Sequence, residues 1–248
     1  MSRSVLPTIF GLDIWLHRLG SPKWFYRLTS PWLLPFAVVA LLLHCLAVGW
    51  GLFLAPSDFR QGEAYRIIYL HVPAASLAQL VYGLLAVSGL VFWIWRIRLA
   101  AMLIAAAAPV GTALTLAALF TGALWGQITW GTWWLWSDPR LMSSLVLLFL
   151  YLGLVTLNLA FDDKDKADRL VSVLAVVGAA NLPVIRYSVE WWNSLHQPAS
   201  LSITGSSLHA SILWPLLAAL FTLALVVASG LALRMNEQIQ QRYPGRVG

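Results

Sequence analysis

The sequence predicts an all-α integral membrane protein with six transmembrane helices. Both termini are expected in the cytoplasm, with a short Trp-rich periplasmic segment between helices 3 and 4. Three observations predict this. The 248 residues are 60% hydrophobic and only 10% charged, with a mean hydropathy of +0.76. Soluble domains carry roughly 25% charged residues, so this chain is too poor in charge to be solvated by water alone. Six apolar runs approach or exceed the roughly 20 residues that cross a bilayer, and Lys and Arg are distributed unequally between the two sides.

The runs are Trp32–Leu54, Ile67–Trp95, Leu99–Thr121, Leu141–Phe161, Leu170–Tyr187 and Leu208–Leu233. They leave no room for a separate soluble domain, so residues 1–248 are expected to form one membrane domain. Residues 1–31 hold Arg3, Asp13, His17, Arg18, Lys23 and Arg27 and lack the apolar core of a secretory signal. They read as a cytoplasmic lead-in, either a partly amphipathic helix or a surface tail. The second run is about 43 Å long as a helix, against a hydrocarbon core of about 30 Å. If Trp95 marks one interface, the Tyr69–His71–Pro73 end reaches the opposite interface or projects beyond it.

Orientation follows from the basic residues. With the N-terminus inside, the inner side carries Arg3, Arg18, Lys23, Arg27, Arg96, Arg98, Lys164, Lys166, Arg169, Arg234, Arg242 and Arg246. The outer side carries Arg60, Arg66, Arg140 and Arg186. The outer segments are then Ala55–Arg66, Gly122–Arg140 and Ser188–Ser207, and residues 234–248 form a cytoplasmic tail. The inner run Asp162–Arg169 reads as a solvated turn or a docking point for a cytoplasmic subunit.

The net charge of +6 comes from basic residues scattered at span ends, which excludes a nucleic-acid patch. The single cysteine, Cys45, permits neither a disulfide framework nor a C-x-x-C-H covalent haem attachment.

The second outer segment carries the strongest local signal. Of 14 Trp, five (Trp125, Trp130, Trp133, Trp134 and Trp136) fall in WGQITWGTWWLWSDPR. Trp191 and Trp192 lie in the third outer segment. An interfacial aromatic belt is one explanation; a platform for a planar, mostly apolar ligand such as a porphyrin is the other. Glycines 126 and 131 let the backbone approach such a ligand. Asp138 and Pro139 read as a helix N-cap and first helical residue. Arg140, at the positive end of that helix, is placed to meet a ligand carboxylate such as a haem propionate.

Of the five histidines, His71, His196 and His209 map to the outer side. Two outer imidazoles on separate elements beside an aromatic platform can supply both axial ligands to haem iron. His71 and His196 are the candidates and His209 the reserve. His44 lies mid-span, either functional or bonded to a neighbouring helix. It has no mid-span partner, which argues against transmembrane electron transfer. His17, in the lead-in, has no assigned role.

The strings WGTWWLWSDPRL, YLHVPAAS around His71 and VEWWNSLHQPAS around His196 resemble the CcmC family of bacterial cytochrome c maturation. The Trp-rich string is similar to that family's WWD signature, and the resemblance covers nearly the whole chain. It implies an inner-membrane protein, not an enzyme, that binds haem b non-covalently at the periplasmic face. The implied site is the WWD segment (Trp125, Trp130, Trp133, Trp134, Trp136, Asp138, Arg140) with His71 and His196 as axial ligands. It further implies delivery of haem to the periplasmic haem chaperone CcmE, and association with the ABC transporter subunits CcmA and CcmB and the small membrane protein CcmD. The ATPase lies elsewhere, because the chain has no G-x-x-x-x-G-K-[ST]. The family pattern is W-D-x-R; here Ser137 is inserted between Trp136 and Asp138. The Asp–x–Arg spacing is kept and its register to the tryptophans shifts.

Two other classes compete. A transporter subunit exporting haem or another solute needs polar or broken spans, and here only Pro109, Gly111, Thr112 and Thr115 interrupt the third. A membrane enzyme needs a clustered acid/base set, whereas the outer acids are only Asp58, Glu63, Asp138 and Glu190.

Overall fold

Among the described residues, six helical segments are long and apolar enough to cross a membrane: Pro22–Leu54, Glu63–Trp95, Arg98–Trp130, Pro139–Ala160, Lys164–Trp191 and Ala210–Arg242. The computed structural model describes residues 20–196, 201–202 and 205–245. His17 and most of the lead-in lie outside the described residues. We number the helices α1 (Pro22–Gly49), α2 (Ile68–Trp95), α3 (Arg98–Trp130), α4 (Pro139–Ala160), α5 (Lys164–Gly178), α6 (Asn181–Trp191) and α7 (Ala210–Arg242). A π-helical turn, Trp50–Leu54, extends α1, and a 3-10 turn, Glu63–Ile67, leads into α2. Helices α5 and α6 share the fifth span. Strands β1 (Leu201–Ser202) and β2 (Gly205–Ser206) form an antiparallel hairpin before α7.

The centre is built from α2, α3, α4 and α5, while α1 packs chiefly on α7. Small side chains make the centre possible. Ala105, Ala106, Ala107 and Ala108 of α3 are buried and let neighbouring backbones come close, the usual device where lipid offers no hydrophobic drive. Two tyrosines fill what the small residues leave. Tyr82 and Tyr151 are fully buried and meet edge to face at 5.1 Å. Tyr151 donates to the Ala78 carbonyl (2.6 Å) and Tyr82 to that of Leu174 (3.3 Å). A Cβ at Gly111 would fall 2.0 Å from the Tyr151 ring, and one at Gly178 would fall 2.1 Å from the Tyr82 hydroxyl. Gly111 is thus a seat for a ring. Thr112 and Thr115 donate back to their own helix, to Ala108 and Gly111 carbonyls, so these hydroxyls are satisfied within α3.

Several boundaries differ from expectation. Helix α3 runs nine residues beyond Thr121, so Trp125 and Trp130 stand on a helix and not in a loop. Gly131, with φ +73°, ends it. Helix α7 continues past Leu233 to Arg242, so most of the expected tail is helical. Its polar residues find partners: Arg234 donates to the Ala106 carbonyl, Thr29 to Asn236, Gln240 to Tyr26. Arg242 makes a two-pronged pair with Asp168 at 2.7 and 2.9 Å. The run Asp162–Arg169 is therefore more than a solvated turn: Asp163 caps α5 and Asp168 is buried against α7.

Candidate functional site

At the end of the bundle opposite the Arg242–Asp168 pair, α2, α3, α4 and α6 diverge around a cavity of about 450 Å3. That is within the range of small-molecule sites. His71, Trp125, Trp130, Arg140 and His196 line it together, so five of the nine residues expected at a site converge. The other four do not line it. Trp133, Trp134 and Trp136 follow Gly131 on the outer connection; Trp136 is 73% exposed and meets Trp134 edge to face at 5.8 Å. Asp138 sits behind His196.

His71 stands one turn inside α2. Its Nδ1 lies 3.0 Å from the Ala118 carbonyl and 3.1 Å from Thr121 Oγ1. The Thr121 hydroxyl donates to the Ala117 carbonyl, so Nδ1 carries the proton and donates to Ala118, leaving Nε2 a bare lone pair. A Cβ at Gly122 would lie 2.9 Å from His71 Cε1; glycine there makes room for the imidazole. Trp125 meets the same ring edge to face at 5.8 Å, and its indole N–H donates to Gln61 at 2.8 Å.

His196 is held differently, with the same result. Its Nδ1 lies 3.2 Å from Asp138 Oδ1, and Trp130 meets its ring edge to face at 4.9 Å. A carboxylate accepts from Nδ1–H, so Nε2 is again the free nitrogen. Asp138 is 2% exposed and its two oxygens are fully used. Oδ1 accepts from the Arg140 and Leu141 amides, capping α4; Oδ2 accepts from the Ser194 hydroxyl at 2.7 Å and the Leu195 amide at 3.0 Å. One carboxylate thereby fastens the N-terminus of α4 to the segment that bears His196.

The electrostatics match. Burial pushes the His196 imidazole below its ordinary value; Asp138 pulls it back up and Arg140 pushes it down, and the net shift is downward. The ring is neutral at pH 7. Burial alone would raise the Asp138 carboxyl, but Ser194, the Leu141 amide, His196 and the Leu195 amide outweigh it and hold it below the usual range. Asp138 is an anion.

The remaining histidines are elsewhere. His44 pairs with Thr222 across α1 and α7 at 3.1 Å, the helix-to-helix bond that a mid-span imidazole needs. His209 caps α7 through Ser211 and does not line the cavity. Among the lining residues that the sequence reading did not single out, Arg186 of α6 carries a charge; the sequence presents it only as an outer basic residue. Its signal was its place in the apolar run that precedes Trp191 and Trp192.

Among the described residues no three His, Cys, Asp or Glu side chains converge as a metal site. The chain offers two neutral imidazoles, each fixed through Nδ1 and each flanked by one tryptophan.

Comparison with known proteins places the chain in a family. The family model described as heme exporter protein C matches residues 15–246. Heme exporter protein C of Escherichia coli (strain K12) is 42% identical over 226 residues, 90% of each chain. Heme exporter protein C of Bradyrhizobium diazoefficiens is 46% identical over 233 residues, 90% of this chain and 85% of that protein. A putative cytochrome c biosynthesis ccmC-like mitochondrial protein of Marchantia polymorpha is 43% identical over 174 residues, 70% and 73% of the two chains. With matches of this length on a six-span helical bundle, the chain belongs to the heme exporter protein C (CcmC) family.

Proposed function

We propose that this protein holds haem b non-covalently at the periplasmic face of the inner membrane and passes it to the chaperone CcmE. The family is one of haem-handling membrane proteins, not enzymes. The observation that carries the reading is the matched pair of imidazoles. His71 and His196 line one cavity, each has its Nδ1 engaged, and each keeps Nε2 for iron. Bound haem would supply the iron that these two nitrogens hold. Trp125 and Trp130 support the ligating rings edge-on and give apolar walls to the porphyrin. Asp138 acts through His196, as carboxylates behind ligating histidines commonly do. Trp133 and Trp136, exposed beside the cavity, form the surface on which the chaperone takes over. CcmA, CcmB and CcmD supply the assembly around the chain.

The test is the absorption spectrum of the detergent-purified protein, with the chaperone coexpressed and then omitted. We expect a Soret band that accumulates without the chaperone and is lost in the His71→Ala/His196→Ala double variant. Unchanged haem content in both single variants and the double variant overturns the ligand assignment. Absence of haem from every preparation favours a transporter subunit, with the tryptophans as a protein-docking surface.

A further inference from the structure

The cavity has an unbalanced charge. Arg140 of α4 and Arg186 of α6 both line it, and none of its lining residues is Asp or Glu. Among the described residues no ion pair or side-chain hydrogen bond occupies the Arg140 guanidinium, and the Asp138 carboxylate behind it is already committed to five donors. Arg186 reaches Glu190 at 3.7 Å, with the two side chains 49% and 61% exposed; a solvent-screened pair of this kind exchanges readily. The two guanidinium groups are close enough to repel each other. Asp138 and Glu190, outside the lining, offset part of this charge, but like charges brought to one cavity from separate helices still favour a ligand with two negative charges. Guanidinium groups are also the side chains best shaped to grip carboxylates through parallel N–H bonds.

Resting on the haem reading above, we infer that Arg140 and Arg186 form a paired site for the two carboxylates of a porphyrin. Arg186 is then a specificity-determining residue that selects dicarboxylate porphyrins over neutral ones. An anionic lipid headgroup offers the same chemistry, so the test separates the two sources. The affinities of iron protoporphyrin IX and its dimethyl ester are measured for the protein in phosphatidylcholine nanodiscs, and again with phosphatidylglycerol added. The variants are Arg186→Gln, Arg186→Lys, Arg140→Gln and the double Gln variant.

The wild type is expected to favour the diacid over the diester by more than tenfold. Each Gln variant loses about tenfold in diacid affinity and nothing in diester affinity. The double variant no longer discriminates, and Arg186→Lys keeps part of the preference. Equal weakening of both porphyrins by Arg186→Gln, or no weakening of either, overturns the inference. So does a diacid preference that phosphatidylglycerol abolishes in the wild type, since the pair is then a headgroup site. If the wild type binds neither porphyrin, the haem reading fails and this inference with it. Loss of discrimination alone leaves the haem reading standing.

Discussion

Asp138 joins two jobs in one carboxylate, and substitution can separate them. Asparagine keeps a side-chain oxygen to cap α4 at the Arg140 and Leu141 amides, but it removes the negative charge facing His196 Nδ1. We expect Asp138→Asn to fold and to retain haem about tenfold less well, with the iron midpoint potential moving upward because the ligating imidazole becomes a weaker donor. Asp138→Ala also loses the cap, about 1 kcal/mol of stability. A spectrum and potential identical to wild type in Asp138→Asn would show that the carboxylate serves the fold alone. A pH titration gives a second check. Because burial holds the His196 imidazole below its ordinary value of 6.5, the unfolded chain takes up the proton first as pH falls. Its contribution to stability is full above pH 6.5 and declines below that value. On the proposed ligation protons would compete with iron for Nε2 only in the same acid range, so haem retention should be flat from neutral pH upward. A fall in retention on going from pH 7 to 8 contradicts a neutral His196.

At the scale of an element, α3 shows what was legible and what was not. Its apolar run was readable from Leu99 onward, and its end was expected at Thr121, with Gly122 opening the outer segment. Gly122 does not end the helix: it opens a space for the His71 ring, where a Cβ would come within 2.9 Å. The true stop is Gly131, whose positive φ an L side chain resists. A glycine that accommodates a neighbour and one that terminates a helix look alike in one sequence, because the difference lies on another helix. For the same reason Arg186 was legible as an outer charge but not as a cavity residue, and Arg234 and Arg242 looked like a tail until their partners were in view. His71 and His196 were singled out because two outer imidazoles flank a dense Trp segment, and the structure brings both to one cavity. Gly122→Ala should therefore leave helicity and thermal stability within about 1 kcal/mol of wild type, since alanine favours helix over glycine by that amount and the ring can shift. It should nonetheless lower haem retention by displacing His71. Gly111→Ala, with the buried Tyr151 ring 2.0 Å from the new Cβ, should cost about 1–3 kcal/mol in thermal unfolding through overpacking.

Across the whole molecule the two ends are built for opposite purposes. The end holding the described termini is closed: Arg242 grips Asp168, Thr29 bonds Asn236 and Arg234 bonds the Ala106 carbonyl. The other end diverges into a cavity that holds two cations and two neutral imidazoles and no acid. The ends of α7 lie about 50 Å apart at 1.5 Å per residue, far beyond the 7–10 Å within which substitutions couple. Removing one partner of the Arg242–Asp168 pair, whose side chains are 13% and 2% exposed, strands a buried charge at a cost of about 3–5 kcal/mol. Arg242→Ala should thus lower the thermal unfolding temperature in detergent while the folded fraction binds haem with wild-type affinity. Combined with His71→Ala, the two losses should add, one in stability and one in binding. Haem affinity that falls in step with stability in Arg242→Ala would mean that the closed end sets the geometry of the open one, and that the bundle moves as a lever between them.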